Sequence, residues 1–262
     1  MIQYKILETG FFYADGGAMF GAIPKRAWNR KYPADKQNCC RLAMNCLLVW
    51  IENRIILLDT GAGTKDLEKL SYYQFQENKN IVDLIHNQGF EPEQVTDVIL
   101  SHLHFDHCGG CTFTNGQGEL SITFPNARHY VSKSQWENYL HPNDLEKDSF
   151  RAMDMIPIKE QGLLELIDAD FKLFPNFKIE LYNGHTTGQL VTSFELENEW
   201  ILFPGDVIPT KAHLSDEWIS AYDIHPLDSL SAKQKIKKKF EDKLVKIVFY
   251  HDSASDILSL SL

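Results

Sequence analysis

The sequence predicts a layered α/β protein, because apolar strands alternate with helical segments along much of the chain. Two apolar runs, 46–51 and 55–58, flank the polar turn 52–54, which is the pattern of a β-hairpin. Farther along, a segment with helical spacing at 81–85 precedes a short apolar strand at 98–100. A helix followed by a buried strand is typical of sheets that carry helices on their faces.

Several predicted strands also end in a histidine or an aspartate. The strands at 98–100, 177–182, 200–203 and 244–250 lead into His102, His185, Asp206 and His251, respectively. Strand ends that are far apart in sequence can converge in space on a rigid sheet. We therefore expect these side chains to form one site.

The run 102–107 is the strongest chemical signal, since three histidines and an aspartate occur within six residues: His102, His104, Asp106 and His107. Imidazole nitrogens and carboxylate oxygens are the usual ligands of catalytic zinc. Each of these groups would cost about 1–3 kcal/mol if it were buried without a partner. Coordination of a metal removes that cost, so the run predicts a metal site.

The spacing within the run favours two adjacent metals. A strand would direct residues 102, 104 and 106 to one face, and a tight loop would turn His107 towards a second position. We expect His102 and His104 to hold one metal, and Asp106 and His107 the other. His185 would then complete the first site, His251 the second, and Asp206 would bridge them. An open position would remain for water, as a catalytic site requires.

The other candidate residues have plainer interpretations. The remaining histidines, His86, His129, His141, His213 and His225, are expected to be ordinary core or surface residues. Cys108 and Cys111 are expected to be small buried residues, with a redox pair as the alternative. The lysine-rich run 233–240 predicts an amphipathic helix with Ile236 and Phe240 on its apolar face and a solvated basic face.

Composition limits the partners. The formal net charge of −10 argues against nucleic acid, whose affinity for proteins comes mainly from Lys and Arg. No apolar run is long enough to span a membrane, and the N-terminus lacks the pattern of a signal peptide. Five cysteines without a secretion signal indicate free thiols. We therefore expect a cytoplasmic protein that acts on a small molecule, with a homodimer left open.

The length of 262 residues suits one domain, 1–262, with two distinctive segments. Residues 11–37 are rich in Gly, Pro and aromatics, which predicts a lid-like loop over a pocket, with Phe20 and Trp28 contacting the substrate. Residues 135–162 predict a helical insertion, and plain surface helices are the alternative.

The run His102-Leu103-His104-Phe105-Asp106-His107 resembles the His-x-His-x-Asp-His motif of the metallo-β-lactamase superfamily. The family's other elements match in order: Leu58-Asp59-Thr60-Gly61, Gly184-His185-Thr186, Gly205-Asp206 and His251. The resemblance implies an α+β fold, a four-layer αβ/βα sandwich of two mixed β-sheets packed face to face with helices outside. It also implies that Asp59 orients a ligand histidine instead of binding metal.

Within the superfamily, the chain looks most similar to the branch of N-acyl homoserine lactone lactonases and methyl parathion hydrolases. The matching pieces are Phe20-Gly21-x-x-Pro24, Asn45-Cys46-Leu47-Leu48 and His107-Cys108-Gly109-Gly110. One position departs from this branch: the lactonases carry a tyrosine three residues after the bridging aspartate, and here Pro209 occupies it.

These observations predict a binuclear metal-dependent hydrolase that uses a water or hydroxide bridging two metal ions. The expected substrate is a small ester, lactone or phosphotriester, and Asp106 is the expected catalytic proton acceptor. Zinc is the expected metal, with Mn²⁺ or Fe²⁺ as alternatives. The alternative functions are a mononuclear iron oxygenase acting on thiols or persulfides, and a glutathione thioester hydrolase.

Overall fold

The computed structural model describes residues 2–254 and 257–261, which contain fourteen β-strands and seven α-helices. The strands are β1 (Gln3–Asp15), β2 (Cys39–Ile51), β3 (Arg54–Leu58), β4 (Asp97–Ile99), β5 (Thr112–Thr114), β6 (Leu120–Ile122), β7 (Arg128–Ser132), β8 (Leu164–Ile167), β9 (Phe171–Phe174), β10 (Phe177–Tyr182), β11 (Gln189–Leu196), β12 (Glu199–Phe203), β13 (Leu244–Val248) and β14 (Ile257–Ser261). The helices are α1 (Gly16–Phe20), α2 (Lys25–Trp28), α3 (Ile81–His86), α4 (Phe105–Cys108), α5 (Lys133–Leu140), α6 (Ala152–Glu160) and α7 (Pro226–Lys239). None of these helices is long and apolar enough to cross a membrane.

The chain divides into two structural units. Unit 1 comprises the residues up to Gly10 together with Met44–Asp168, and unit 2 comprises Phe11–Ala43 together with the chain from Ala169 onward. Strands β1 and β2 each contribute residues to both units.

A six-stranded sheet has the order β1–β2–β3–β4–β7–β8. Strands β3, β4, β7 and β8 run parallel to one another, whereas β2 runs antiparallel to β3, so the sheet is mixed. The predicted hairpin is confirmed, because Ile51 pairs with Arg54 across the turn. The predicted helix is α3, whose first turn is capped by the Asn80 side chain accepting from the Val82 amide at 3.0 Å.

A second six-stranded sheet has the order β14–β13–β12–β11–β10–β9. Its pairs are antiparallel except β12 and β13, which run parallel. The three predicted strands of this region are β10, β12 and β13. Helix α7 belongs to the same hydrophobic core, in which Ile236 and Phe240 pack with Leu202 and Ile247. The predicted fold class is therefore confirmed as mixed sheets combined with helices.

The predicted basic face of α7 needs one correction. Ile236 and Phe240 are buried, as expected, but Lys233 is only 1% exposed. Its Nζ donates to three backbone carbonyl oxygens, those of His213 at 3.1 Å, Ser215 at 2.8 Å and Trp218 at 2.8 Å. Burial lowers the pKa of this amine to about 8. Lys233 therefore anchors the segment 213–218 instead of facing solvent.

The segment 11–37 has more regular structure than a loop, since it holds the end of β1 and the helices α1 and α2. Phe20 is 0% exposed and Trp28 is 2% exposed. The Phe20 ring stacks on the rings of Trp28 at 5.4 Å, Tyr32 at 5.1 Å and His213 at 5.5 Å between centroids. Burial gives both side chains a packing role in unit 2, and their contact with a substrate stays a prediction.

Residues 135–162 contain most of α5, a 3₁₀ turn at Lys147–Ser149 and α6, so the segment is helical as predicted. Its origin as an insertion stays a prediction.

Candidate metal centre

The motif 102–107 follows β4 in unit 1, and its backbone differs from the expected strand. The strand ends at Ile99, and Asp106 and His107 lie in the short helix α4. The expectation that residues 102, 104 and 106 share one strand face is therefore wrong. The chain turns because the amides of His107 and Cys108 donate to the carbonyl of His104 at 3.0 and 3.1 Å. All four candidate ligands of the motif are buried.

The first two histidines face each other through ring nitrogens. Nε2 of His102 lies 3.0 Å from Nδ1 of His104. On the far side of each ring, Nδ1 of His102 lies 3.1 Å from Oγ of Ser101, and Nε2 of His104 lies 3.1 Å from Oε1 of Glu146. A carboxylate only accepts hydrogen bonds, so Nε2 of His104 carries the proton. In a neutral ring, Nδ1 then presents a lone pair towards His102.

Asp59 supports the third histidine of the motif. Its Oδ2 lies 2.8 Å from Nδ1 of His107 and accepts from Oγ of Ser101 at 2.7 Å. Its Oδ1 accepts from the Ser101 amide at 2.6 Å. Asp59 thus contacts a candidate ligand histidine, as expected for an orienting residue, and leaves Nε2 of His107 as the ligand atom.

The loop after the motif is fixed by close backbone packing. A Cβ on Gly109 would lie 2.2 Å from the Ala62 carbonyl oxygen, so this position tolerates only glycine. Lys65 donates from Nζ to the carbonyls of Gly109 and Thr112 and pairs with Asp154 at 2.7 Å, with both charged side chains buried. The segment that follows the motif is therefore fixed by the close packing of Gly109 and by the buried contacts of Lys65.

The two cysteines next to the motif are small buried residues, as predicted. Cys108 and Cys111 are free thiols. Burial raises the pKa of the Cys111 thiol to about 12 and raises that of Cys108 well above its ordinary value. Such thiols are poor nucleophiles, because the thiolate is the reactive form.

Unit 2 brings together the other three candidate ligands. His185 follows β10, Asp206 lies in the 3₁₀ turn Gly205–Val207 after β12, and His251 follows β13. Nε2 of His185 lies 3.3 Å from Oδ2 of Asp206, and Nε2 of His251 lies 3.3 Å from Oδ1. Each oxygen of one buried carboxylate therefore faces a different imidazole.

The other ring nitrogen of His185 and of His251, Nδ1, also contacts a hydrogen-bond acceptor. Nδ1 of His185 lies 3.1 Å from Oδ1 of Asp223, and Nδ1 of His251 lies 2.8 Å from the carbonyl oxygen of Ala43. Both partners accept hydrogen bonds, so Nδ1 is the protonated nitrogen in each ring. In neutral rings, both Nε2 atoms then direct lone pairs towards the Asp206 carboxylate. A metal ion between these acceptors would satisfy both, and it fits this set of imidazole and carboxylate groups.

The sequence did not reveal Glu146 and Asp223, the carboxylates behind His104 and His185. Glu146 lies near the start of a 3₁₀ turn after α5, and Asp223 lies in the irregular segment before α7. Glu146 lies 42 residues from His104 and Asp223 lies 38 residues from His185, so no local sequence pattern pointed to them. Each of the seven predicted ligands belongs to a group of buried His and Asp atoms that could hold a metal ion.

The histidines outside the predicted ligand set behave as expected. His129 and His213 are buried, and burial lowers the pKa of each to about 4. His213 contacts Oγ1 of Thr210 at 2.8 Å and the Met19 carbonyl at 3.1 Å. The other three, His86, His141 and His225, are exposed.

Pro209, at the position of the lactonase tyrosine, acts through its backbone. Its carbonyl oxygen accepts from the His251 amide at 2.9 Å. The residue supplies no hydroxyl group, and it supports the backbone of a candidate ligand.

Three comparisons place this fold and these residues among known proteins. The family model of the metallo-beta-lactamase superfamily matches residues 41–251. An N-acyl homoserine lactonase from Bacillus thuringiensis is 26% identical over 219 residues, which cover 79% of this chain and 80% of the lactonase.

Two solved structures are similar over most of the chain. A probable metal-dependent hydrolase from Staphylococcus aureus has a TM-score of 0.91 and 27% identity, covering 98% of this chain and 92% of that protein. AidC, a dizinc quorum-quenching lactonase, has a TM-score of 0.77 and 23% identity, covering 100% of this chain and 91% of AidC, which shows the fold alone. The family match covers far more than half of the chain and includes all seven candidate ligands. The chain is therefore a metal-dependent hydrolase that belongs to the metallo-beta-lactamase superfamily.

Proposed function

We propose that this protein hydrolyses a small lactone or ester with two divalent metal ions, zinc being the expected metal. The observation that carries the proposal is Asp206, whose two oxygens each face the Nε2 of a different histidine at 3.3 Å. A single carboxylate with one oxygen for each of two cations is the arrangement expected of a bridging ligand.

The ring nitrogens support the same proposal. His104, His107, His185 and His251 each place one nitrogen against a carboxylate or carbonyl oxygen. Ligating histidines in metalloproteins usually donate their other N–H to such a group. The protein thereby fixes, in each ring, the nitrogen that is available to a metal.

We keep the ligand assignment predicted from the order of the motifs. His102, His104 and His185 would hold one metal, and Asp106, His107 and His251 would hold the other, with Asp206 shared. Such metal ions, when bound, would lower the pKa of water towards 7 and would stabilise negative charge on a carbonyl oxygen. Asp106 would serve as the proton acceptor, and Asp59 and Asp223 would keep their histidines in the required orientation.

Relatives support the substrate class. The curated relatives are named as N-acyl homoserine lactonases, and the fold neighbours include further lactonases. Nothing at the site favours the iron oxygenase, and the thioester hydrolase remains one arm of the test. Because Pro209 replaces the lactonase tyrosine, we expect a substrate range different from that of those lactonases.

The decisive experiment measures metals per chain on protein purified without added metal, together with turnover of lactones, aryl esters, phosphotriesters and glutathione thioesters. We expect about two zinc ions per chain and turnover of a lactone or ester. His104→Ala should abolish turnover, whereas the matched control His141→Ala, at an exposed histidine, should not. One iron per chain, with oxygen uptake on persulfides and no hydrolysis, would overturn the proposal.

A further inference from the structure

We propose that Glu146 is a positioning residue for His104 and that it fixes the ring nitrogen which faces the metal. The inference rests on the proposed function, because it assigns His104 as a ligand. Glu146 lies outside every motif that the family resemblance supplied. It comes from the helical segment 135–162, far along the chain from the run 102–107.

The carboxylate of Glu146 is fully engaged. The residue is 2% exposed, and its Oε1 lies 3.1 Å from Nε2 of His104. Its Oε2 accepts from Nδ2 of Asn138 at 2.9 Å and from Nδ2 of Asn143 at 3.1 Å. Because the two amides occupy one oxygen, the other oxygen is directed at the imidazole.

The chemistry of these partners argues against a purely structural role. Burying a carboxylate costs several kcal/mol unless strong partners compensate it. The amides of Asn138 and Asn143 are neutral donors, which compensate a buried carboxylate less strongly than a charged partner does. A carboxylate, which only accepts hydrogen bonds, suits this position if its task is to accept one from the Nε2–H group of His104.

The consequence for His104 is a defined tautomer. With Nε2 protonated towards Glu146, Nδ1 carries the lone pair on the side where Nε2 of His102 lies 3.0 Å away. Loss of such a carboxylate partner typically weakens metal binding by about 10–100-fold. Without Glu146, the ring could also adopt the other tautomer, in which Nδ1 is protonated and cannot bind a metal.

The test measures zinc affinity by competition with a chromogenic chelator, in the wild type and in Glu146→Gln. We expect zinc binding about 10–100-fold weaker in Glu146→Gln. Glu137→Gln is the matched control, because Glu137 lies on the exposed side of α5 and loses the same charge. Its affinity should equal that of the wild type.

A double-mutant cycle separates positioning from packing. If Glu146 acts through His104, Glu146→Gln should weaken zinc binding in the wild type and add less than about twofold in His104→Ala. Equal losses in both backgrounds, with a lower melting temperature of the metal-free protein, would overturn the inference. If Glu146→Gln does not fold, Glu146→Asp serves in the same cycle, because it keeps the charge but moves the carboxylate away from His104.

The outcomes distinguish this inference from the proposed function. A wild-type protein that binds no divalent metal would contradict the proposed function itself. A wild type that binds two zinc ions, together with a Glu146→Gln variant of equal affinity, would contradict only the role of Glu146.

Discussion

The two units supply their candidate ligands in different ways. In unit 1, four ligands lie within six consecutive residues between β4 and the end of α4. In unit 2, three ligands come from the ends of three different strands. The arrangement in unit 1 depends on the backbone of one turn, whereas that in unit 2 exists only once the sheet has formed. The same kind of chemistry can thus be specified locally or by topology.

The groups that support the candidate ligand histidines also differ between the two units. Unit 1 holds its rings with two carboxylates, Asp59 and Glu146, and with the hydroxyl of Ser101. Unit 2 uses the carboxylate of Asp223 and a backbone carbonyl, that of Ala43. A carbonyl cannot be removed by a side-chain substitution, so the orientation of His251 is the most robust of the set.

The largest expected effect tests the two aspartates that we assign as ligands, one from each unit. Asp206→Asn should lower turnover by more than about 100-fold, beyond the range for supporting residues, because each carboxylate oxygen faces a different histidine. Asp106→Asn should lower the metal content less than Asp206→Asn does, since Asp106 is assigned to one metal and Asp206 to both. Metal analysis and turnover of the same preparations measure both. A variant Asp206→Asn that keeps two metals, beside an Asp106→Asn that keeps none, would reverse the comparison.

A smaller effect is expected from the aspartates that support histidines. Asp59→Asn and Asp223→Asn should each weaken zinc binding by about 10–100-fold. Asp59 also accepts from the amide and hydroxyl of Ser101, so its loss should lower the free energy of unfolding by a further amount of about 1–3 kcal/mol. Chelator competition and urea unfolding of the metal-free proteins separate the two quantities. Equal stability of both variants would show that Asp59 has no extra structural role.

The smallest effect on function concerns the buried histidines, His129 in unit 1 and His213 in unit 2. Burial lowers the pKa of each from 6.5 to about 4. The unfolded chain binds more protons between these values, so each residue contributes stability that is present above pH 6.5 and is lost as the pH falls towards 4. The loss is at most about 3 kcal/mol per histidine.

His129→Gln and His213→Gln should therefore show a shallower fall in the free energy of unfolding between pH 6.5 and pH 4 than the wild type. Urea unfolding of the metal-free proteins at several pH values measures the slope. An unchanged slope in either variant would show that the corresponding histidine has the same pKa in the folded and unfolded states, which would contradict this prediction.

The sequence was most informative where residues able to bind metal lie next to one another or directly after a predicted strand. The run 102–107 could be recognised because its ligands are adjacent, and His185, Asp206 and His251 because each follows an apolar strand. The turn into α4 was missed, since periodicity cannot show where a three-residue strand stops. Glu146, Asp223 and Lys233 were missed because their importance arises from contacts between segments. Lys233, in particular, is hidden among lysines that share its sequence environment.

The five cysteines differ in exposure and can therefore serve as probes of local unfolding. Cys39 is partly exposed, whereas Cys40, Cys46, Cys108 and Cys111 are buried. Burial raises the pKa of Cys40 to about 11 and that of Cys111 to about 12, so their thiolates are scarce even when reagent approaches. A thiol reagent should modify Cys39 on the native protein and the others only after local opening. Labelling at Cys108 and Cys111 would then time excursions of the loop next to the motif, and labelling at Cys40 and Cys46 would time those of β2.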